Sequence, residues 1–317
     1  MTEEKVQVQL PPGCDHYYVM EMLEQPEAVA KAMNYGARLM SNKAMVRLGG
    51  LEKKAEDFME VDNLIMAACG TSHYATRYGE HIMNKLGCFD YVECKIASEI
   101  TEDDLRFKNP RQSCMICVSQ SGETMDLLIP FRLADKMGLQ RLNIVNKVNS
   151  TLARENPCGV FLNCGRELSV ASTKAYITQV VVLTLVALWF SQRKSYNQTK
   201  RMRTAFIMEL KNLAGNIKTT LDTCNPFSAL MATQLKQAKG ILFLGQGIGE
   251  AVASEGCLKM KELTYLHCQS FSISNIANNF YNYVQNNPGM PSIWIVLDSD
   301  MNDKEITIQA MRKLQNR

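Results

Sequence analysis

Residues 114–124 read Cys-Met-Ile-Cys-Val-Ser-Gln-Ser-Gly-Glu-Thr, and they decide the fold. The apolar run Cys114–Val118 has no polar alternation, which is the pattern of a strand buried on both faces. It ends in the turn Ser119–Thr124, and a helix-like segment follows. The same sequence of events recurs along the chain. Leu64–Ala68 meets Cys69-Gly70-Thr71-Ser72, and Arg141–Val145 meets a polar loop around Asn146–Ser150. Gly159–Leu162 meets a loop that reaches Val170-Ala171-Ser172-Thr173-Lys174. Continuous apolar strands alternating with helical segments predict an α/β architecture with a parallel sheet covered on both faces. Ligands of such sheets bind outside the carboxyl ends of the strands.

A second unit follows the helical region Lys200–Asp222. It opens with the strand Gly240–Leu244, a Gly-Gln-Gly turn and a long helical pattern from Glu250. This echoes Leu64–Ser72 and its helix, so a duplicated α/β domain is expected. Only one more clear strand, Ser292–Leu297, precedes a helix from Asp303, and the second unit is expected to be incomplete. The expected division is a helical linker over residues 1–44, a first domain over 45–195 and a second over 196–317.

Composition narrows the function classes. The 317 residues are 46% hydrophobic and 21% charged, enough apolar material to bury about two cores. Thirty-five basic against 32 acidic residues give a net charge of +3, which is no nucleic-acid footprint. Eleven cysteines without small-scaffold spacing read as reduced intracellular thiols. Met1–Leu10 lacks a basic, then apolar, secretory pattern. Tyr176–Phe190 is the most apolar stretch, but a spanning helix needs about 20 residues and this one is shorter. It reads as a helix buried in a core or a subunit interface. A cytosolic protein, with no membrane or nucleic-acid partner, is expected.

The turn Ser119–Thr124 gathers hydroxyls, a side-chain amide and the free N–H groups of a helix start, a setting that suits a phosphomonoester. No GxxxxGK[ST] lysine follows, so it is not a nucleotide P-loop. By itself the turn reads equally well as an ordinary helix cap. Thr71 and Ser72, and then Val170 and Ser172, add two more turns at strand ends that can surround one small polar ligand. Glu255, Lys259 and Glu262 lie at i, i+4 and i+7 and share one helix face. A carboxylate there could move a proton between sugar carbons, although a solvated Glu–Lys pair is the commoner reason for such spacing.

In this order and spacing, ACGTS, SQSGET and ELSVASTKAY resemble the sugar isomerase (SIS) domain. More narrowly, they resemble the isomerase half of glutamine–fructose-6-phosphate aminotransferase. Glu24-Gln25-Pro26-Glu27, Leu48–Leu51 and Leu258–Tyr265 extend the resemblance across residues 16–273. It implies two SIS-type, three-layer, flavodoxin-like domains, the second truncated. It implies a hexose 6-phosphate ligand held by Thr71, Ser72, Ser119, Gln120, Ser121, Thr124, Val170, Ser172 and Glu167, with no cofactor and no metal. Glu255, Lys259 and Glu262 match the catalytic helix, and Glu262 matches the carboxylate that shuttles the proton. The family also implies a homodimer and, for this chain, ammonia from a separate glutaminase-bearing chain.

Three departures qualify that reading. No counterpart of the glutaminase domain precedes the first strand. The family's ring-opening histidine is matched by Asn278, and an amide cannot exchange a proton near neutral pH. The family's imine-forming tail lysine has no match before Arg317. Retained sugar-phosphate binding with reduced or absent catalysis is therefore expected, and a non-enzymatic SIS-type sensor is the alternative. Three weaker signals are Pro130 inside a helix, Cys114-x-x-Cys117 as two buried thiols, and His73 as a structural histidine. Gly245-x-Gly247-x-Gly249 fails the dinucleotide fingerprint at Glu250.

Overall fold

The computed structural model describes residues 10, 14–275, 287, 289–298 and 301–315. Two short helices, α1 (Tyr17–Leu23) and α2 (Gln25–Ala32), lead to a small antiparallel hairpin of β1 (Leu39–Met40) and β2 (Met45–Val46). The short helices α3 (Gly49–Glu52) and α4 (Ala55–Met59) follow. The first large sheet then uses β3 (Asn63–Ala68), β4 (Tyr91–Ile96), β5 (Ser113–Ser119), β6 (Gln140–Val145) and β7 (Gly159–Phe161). Its helices are α5 (Gly70–Leu86), α6 (Met125–Lys136), α7 (Thr151–Glu155) and α8 (Lys174–Lys194).

All neighbours in this sheet pair parallel, in the order β4-β3-β5-β6-β7. This is the flavodoxin-like order, and its direction reverses between β3 and β5, which makes their tips the natural place for a ligand. Every residue of β5 is buried. Successive side chains of a strand point to opposite faces. Leu64, Met66, Cys114, Ile116 and Val118 therefore join one core layer, and Ile65, Ala67, Met115 and Cys117 the other.

The helix α8 fills the first of these layers. Leu183, Val186, Trp189 and Phe190 are all buried there, and Phe58 of α4 packs edge-on against both aromatic rings at 6.1 and 5.7 Å. The apolar run Tyr176–Phe190 is thus buried within its own chain, and it gives no ground for a second subunit. Helix α5 approaches α8 at Gly79, where a Cβ would lie 3.0 Å from Leu183 and 3.1 Å from Met66. Pro130 sits inside α6, which continues through it to Lys136.

A long helix, α9 (Tyr196–Leu235), connects the two sheets. Its first turns belong to the first core: Ile207 and Leu210 are buried there, and buried Arg203 donates from Nε to Ala44 O at 3.0 Å. The second sheet holds β8 (Gly240–Gly245), β9 (His267–Ser272) and β10 (Ser292–Ile295), parallel and in the order β10-β8-β9 among the described residues. Helix α10 (Ile248–Thr264) covers one face, and α11 (Met301–Gln315) contributes Ala310 to the other. β9 was not expected from the sequence. It reads His-Cys-Gln-Ser-Phe-Ser, mostly polar, and among the described residues it lies at the edge of the sheet.

Phe58→Ala should destabilise the protein by about 3–5 kcal/mol, the usual cost of emptying a fully buried aromatic site. Urea unfolding followed by Trp189 fluorescence measures it.

Candidate functional site

The parallel register places two hydroxyl-rich turns side by side. Ala67 pairs with Cys117, so the turns after β3 and β5 leave the same edge of the sheet on neighbouring strands. In the second turn, Ser119 Oγ lies 3.3 Å from Thr124 Oγ1 and accepts from Gly122 N at 3.0 Å. Glu123 N donates to Ser121 Oγ at 3.2 Å. The Glu123 carboxylate turns away and accepts from Thr151 N at 2.9 Å and Thr151 Oγ1 at 2.6 Å, which holds its pKa below the ordinary value. Gln120 O receives Asn146 N at 3.2 Å, tying the turn to the tip of β6. Gly122 has φ +64°, and a Cβ there would stand 2.2 Å from Ser150 Oγ. Thr124 precedes the first turn of α6 in an extended conformation and makes no side-chain cap bond. Its hydroxyl stays in the turn with Ser119.

The first turn is addressed from two directions. Gln179 of α8 donates from Nε2 to Ser72 Oγ at 2.8 Å. Thr71 instead meets the second unit. Lys259 Nζ donates to Thr71 Oγ1 at 2.9 Å, and Thr71 Oγ1 donates to Glu255 Oε1 at 3.3 Å. The same ammonium contacts Glu262 Oε2 at 2.6 Å and Glu255 Oε1 at 3.5 Å. The i, i+4, i+7 spacing does put the three side chains on one face of α10. It is no solvated pair: Glu255 is only 6% exposed and Lys259 is largely covered. Burial pushes the Glu255 carboxyl up to about 7, against the pull of Lys259 and the Thr71 hydrogen bond. Glu255 Oε2 has no hydrogen-bond partner among the described residues. Burial raises the pKa of Tyr18 in α1, and the carboxylates of Glu255 and Glu262 add to the shift.

The third turn is a fixed loop. Val170 is 96% exposed. Glu167 accepts from Ser172 Oγ at 3.0 Å, Thr173 N at 2.8 Å and Ala175 N at 3.0 Å, so its carboxylate caps the start of α8. That use leaves Glu167 a scaffold for the loop and occupies the Ser172 hydroxyl. Glu21 of α1, fully buried, accepts from Leu168 N and from Ser169 N at 3.2 Å. Glu24 pairs with Lys174 at 2.5 Å. Glu21 and Gln179 were not singled out in the sequence. The available signal was an amide inside an apolar helix and an acid among the apolar residues of α1. His73 turns to Cys94 Sγ, 3.6 Å from Nδ1, and burial lowers its pKa, which is a structural setting. Asn278 lies outside the described residues.

Comparison with known proteins agrees with this fold. The SIS domain model matches residues 57–189. The chain is a SIS-domain protein. It is homologous to the isomerase region of the glutamine–fructose-6-phosphate aminotransferases. The SIS chain is 36% identical to the enzyme of Encephalitozoon cuniculi over 265 residues, 83% of this chain and 36% of that relative. It is 35% identical to the Saccharomyces cerevisiae enzyme over 257 residues, 80% of this chain and 35% of the relative. The chain thus spans little more than a third of the length of these curated relatives. Among solved structures, the C-terminal domain of the Francisella tularensis glucosamine–fructose-6-phosphate aminotransferase superposes with a TM-score of 0.86 at 27% identity. That match covers 98% of this chain and 83% of that domain.

Two outcomes follow from this geometry. Glu255 holds a proton more tightly folded than unfolded, so its contribution to stability declines as pH rises from about 4.5 towards about 7. Thermal midpoints between pH 5 and 8 should show this slope in the wild type and lose it in Glu255→Gln. Gly122→Ala should lower the midpoint, because left-handed backbone costs a side-chain-bearing residue about 1–2 kcal/mol before the clash with Ser150 is counted.

Proposed function

We propose that this chain binds a hexose 6-phosphate, with the phosphate in the Ser119–Thr124 turn and the sugar extending toward Thr71 and α10. The observation that carries the reading is the Thr71–Lys259–Glu262 contact, which sets a carboxylate and a cation beside the hydroxyl-rich tips. Ser119, Ser121 and Thr124, with the N–H groups at the start of α6, offer donors to a dianion. Gln120 and Ser72 belong to the same two turns, and the family resemblance adds Val170 and Ser172 of the third turn as sugar contacts.

The chemistry that fits is the shift of fructose 6-phosphate toward the aldose level, as in glucosamine 6-phosphate formation within amino-sugar synthesis. Glu262 takes the proton from one sugar carbon and returns it to the next through an enediol or enamine. Lys259 steadies the charge that develops on the oxygen. Nitrogen would come from free ammonia or a separate glutaminase-bearing chain. Cytoplasmic location is read from the reduced cysteines and the N-terminal sequence, and homodimerisation from the family resemblance.

A second reading is a sugar-phosphate sensor without turnover. Two observations favour it: the family's ring-opening histidine is matched by Asn278, and Glu262 is already paired with Lys259. Binding with greatly reduced catalysis is the outcome we expect.

Calorimetry with glucosamine 6-phosphate should show saturable binding, weakened at least tenfold in Ser121→Ala/Thr124→Ala, since hydrogen bonds to a charged acceptor are worth ~1.5–3 kcal/mol each. Equal affinity in both proteins would remove the turn as the anion site. Turnover of fructose 6-phosphate with ammonia then separates the readings. Product that disappears in Glu262→Gln identifies an enzyme, and binding without product identifies the sensor.

A further inference from the structure

Gln179 is 1% exposed in the second turn of the most apolar helix of the chain. An amide in such a place carries a desolvation cost unless it is satisfied. It is only half satisfied. Nε2 donates to Ser72 Oγ at 2.8 Å, while Oε1 has no hydrogen-bond partner among the described residues. The neighbouring polar residues of α8 are treated differently. Thr178 and Thr184 turn their hydroxyls back onto helix carbonyls at 2.8 and 2.9 Å. Thr184 also meets the Tyr78 hydroxyl at 3.2 Å and Gln192 bonds the Val46 backbone, but Gln179 reaches a hydroxyl of the candidate site and leaves its own carbonyl oxygen unpartnered among the described residues.

The direction of that bond matters. Because the amide nitrogen donates, Ser72 Oγ serves as acceptor and keeps its own proton. Ser72 stands in the first turn of α5, where the helix start favours negative charge. Its carbonyl accepts Thr76 Oγ1 at 2.7 Å, which fixes the backbone beneath it. A hydroxyl held from behind by a donor and anchored at its backbone has its proton left for an acceptor in front.

From this geometry we infer that Gln179 is a positioning residue, setting the Ser72 hydroxyl as a donor to an acceptor atom on the bound sugar phosphate. The inference rests on the proposed sugar-phosphate site and goes beyond it by assigning a buried residue that touches no ligand. The adjacent hydroxyl, Thr71, is set by Lys259 and Glu255 of the second unit. Neighbouring hydroxyls of one turn are thus oriented from different parts of the fold. The turn presents a set of directions already fixed before ligand arrives, which lowers the ordering cost of binding.

The test is a double-mutant cycle read by calorimetry with glucosamine 6-phosphate. Gln179→Leu should weaken binding about tenfold, and Ser72→Ala by a similar factor, the size expected for one hydrogen bond to a charged group. The double variant should bind no more weakly than Ser72→Ala alone, because both changes remove the same interaction. In contrast, Gln179→Leu combined with Thr124→Ala should multiply the two losses. Gln179→Met serves as the second variant of similar volume, with folding verified by urea unfolding. Wild-type affinity in a folded Gln179→Leu or Gln179→Met overturns the inference, as does a Gln179→Leu/Ser72→Ala loss equal to the product of the singles. Failure of both single variants to fold assigns the amide to the core and also overturns it. A wild type that binds no sugar phosphate overturns the functional reading itself, and the inference with it.

Discussion

Lys259 stands between two carboxylates and a hydroxyl that come from both halves of the chain. Its ammonium touches Glu262 at 2.6 Å and Thr71 at 2.9 Å, with Glu255 at 3.5 Å. An ion this well covered must be matched, since an unpaired charge in such a place would cost several kcal/mol. Both carboxylates lie on α10 with the lysine, and α5 adds the Thr71 hydroxyl as a further partner from the first unit. The catalytic-looking face of α10 is therefore also what joins the second unit to the first. Arg77 and Glu250 add a more exposed ion pair at 3.3 Å across the same boundary, and solvent makes that pair worth little.

The rest of the site is a product of the parallel sheet. Burying both faces of β3, β5 and β6 leaves their carboxyl tips as the places where polar groups can gather without cost. The third turn has no such support from a long strand, because β7 is only three residues. It is instead held by carboxylates: Glu167 within the loop, and Glu21 and Glu24 from α1 and the residue after it. The N-terminal helices thereby act as a brace for a loop more than a hundred residues away in sequence.

Much of this was legible in the residues. The central strands were, because apolar runs without alternation have few other readings, and the turns were, because each follows such a run. Glu255, Lys259 and Glu262 could be placed on one face by spacing alone, and their resemblance to a known helix supplied a role. The edges of the sheets were harder. β4 reads Tyr-Val-Glu-Cys-Lys-Ile and β9 His-Cys-Gln-Ser-Phe-Ser, and one-sided burial permits polar residues that blur the signal. Long-range polar contacts were not legible at all. Nothing in the letters pairs Gln179 with Ser72, or Glu21 with Leu168, because such bonds follow no period. For the same reason the part Glu167 plays in closing its own loop could not be read from the letters. The apolar run in α8 invited a partner subunit, and only the packing of Phe58, Trp189 and Phe190 showed where that surface goes.

Cys114 and Cys117 sit three residues apart on β5, one in each core layer, both buried and unpaired. The sheet between them acts as an insulating wall. Oxidation cannot stitch this pair together while the strand stays extended, so a linkage joining them would be a scar of prior unfolding. Each thiol is instead a private witness to the opening of its own side, and the two sides of one strand could be timed separately by how fast each sulfur is alkylated.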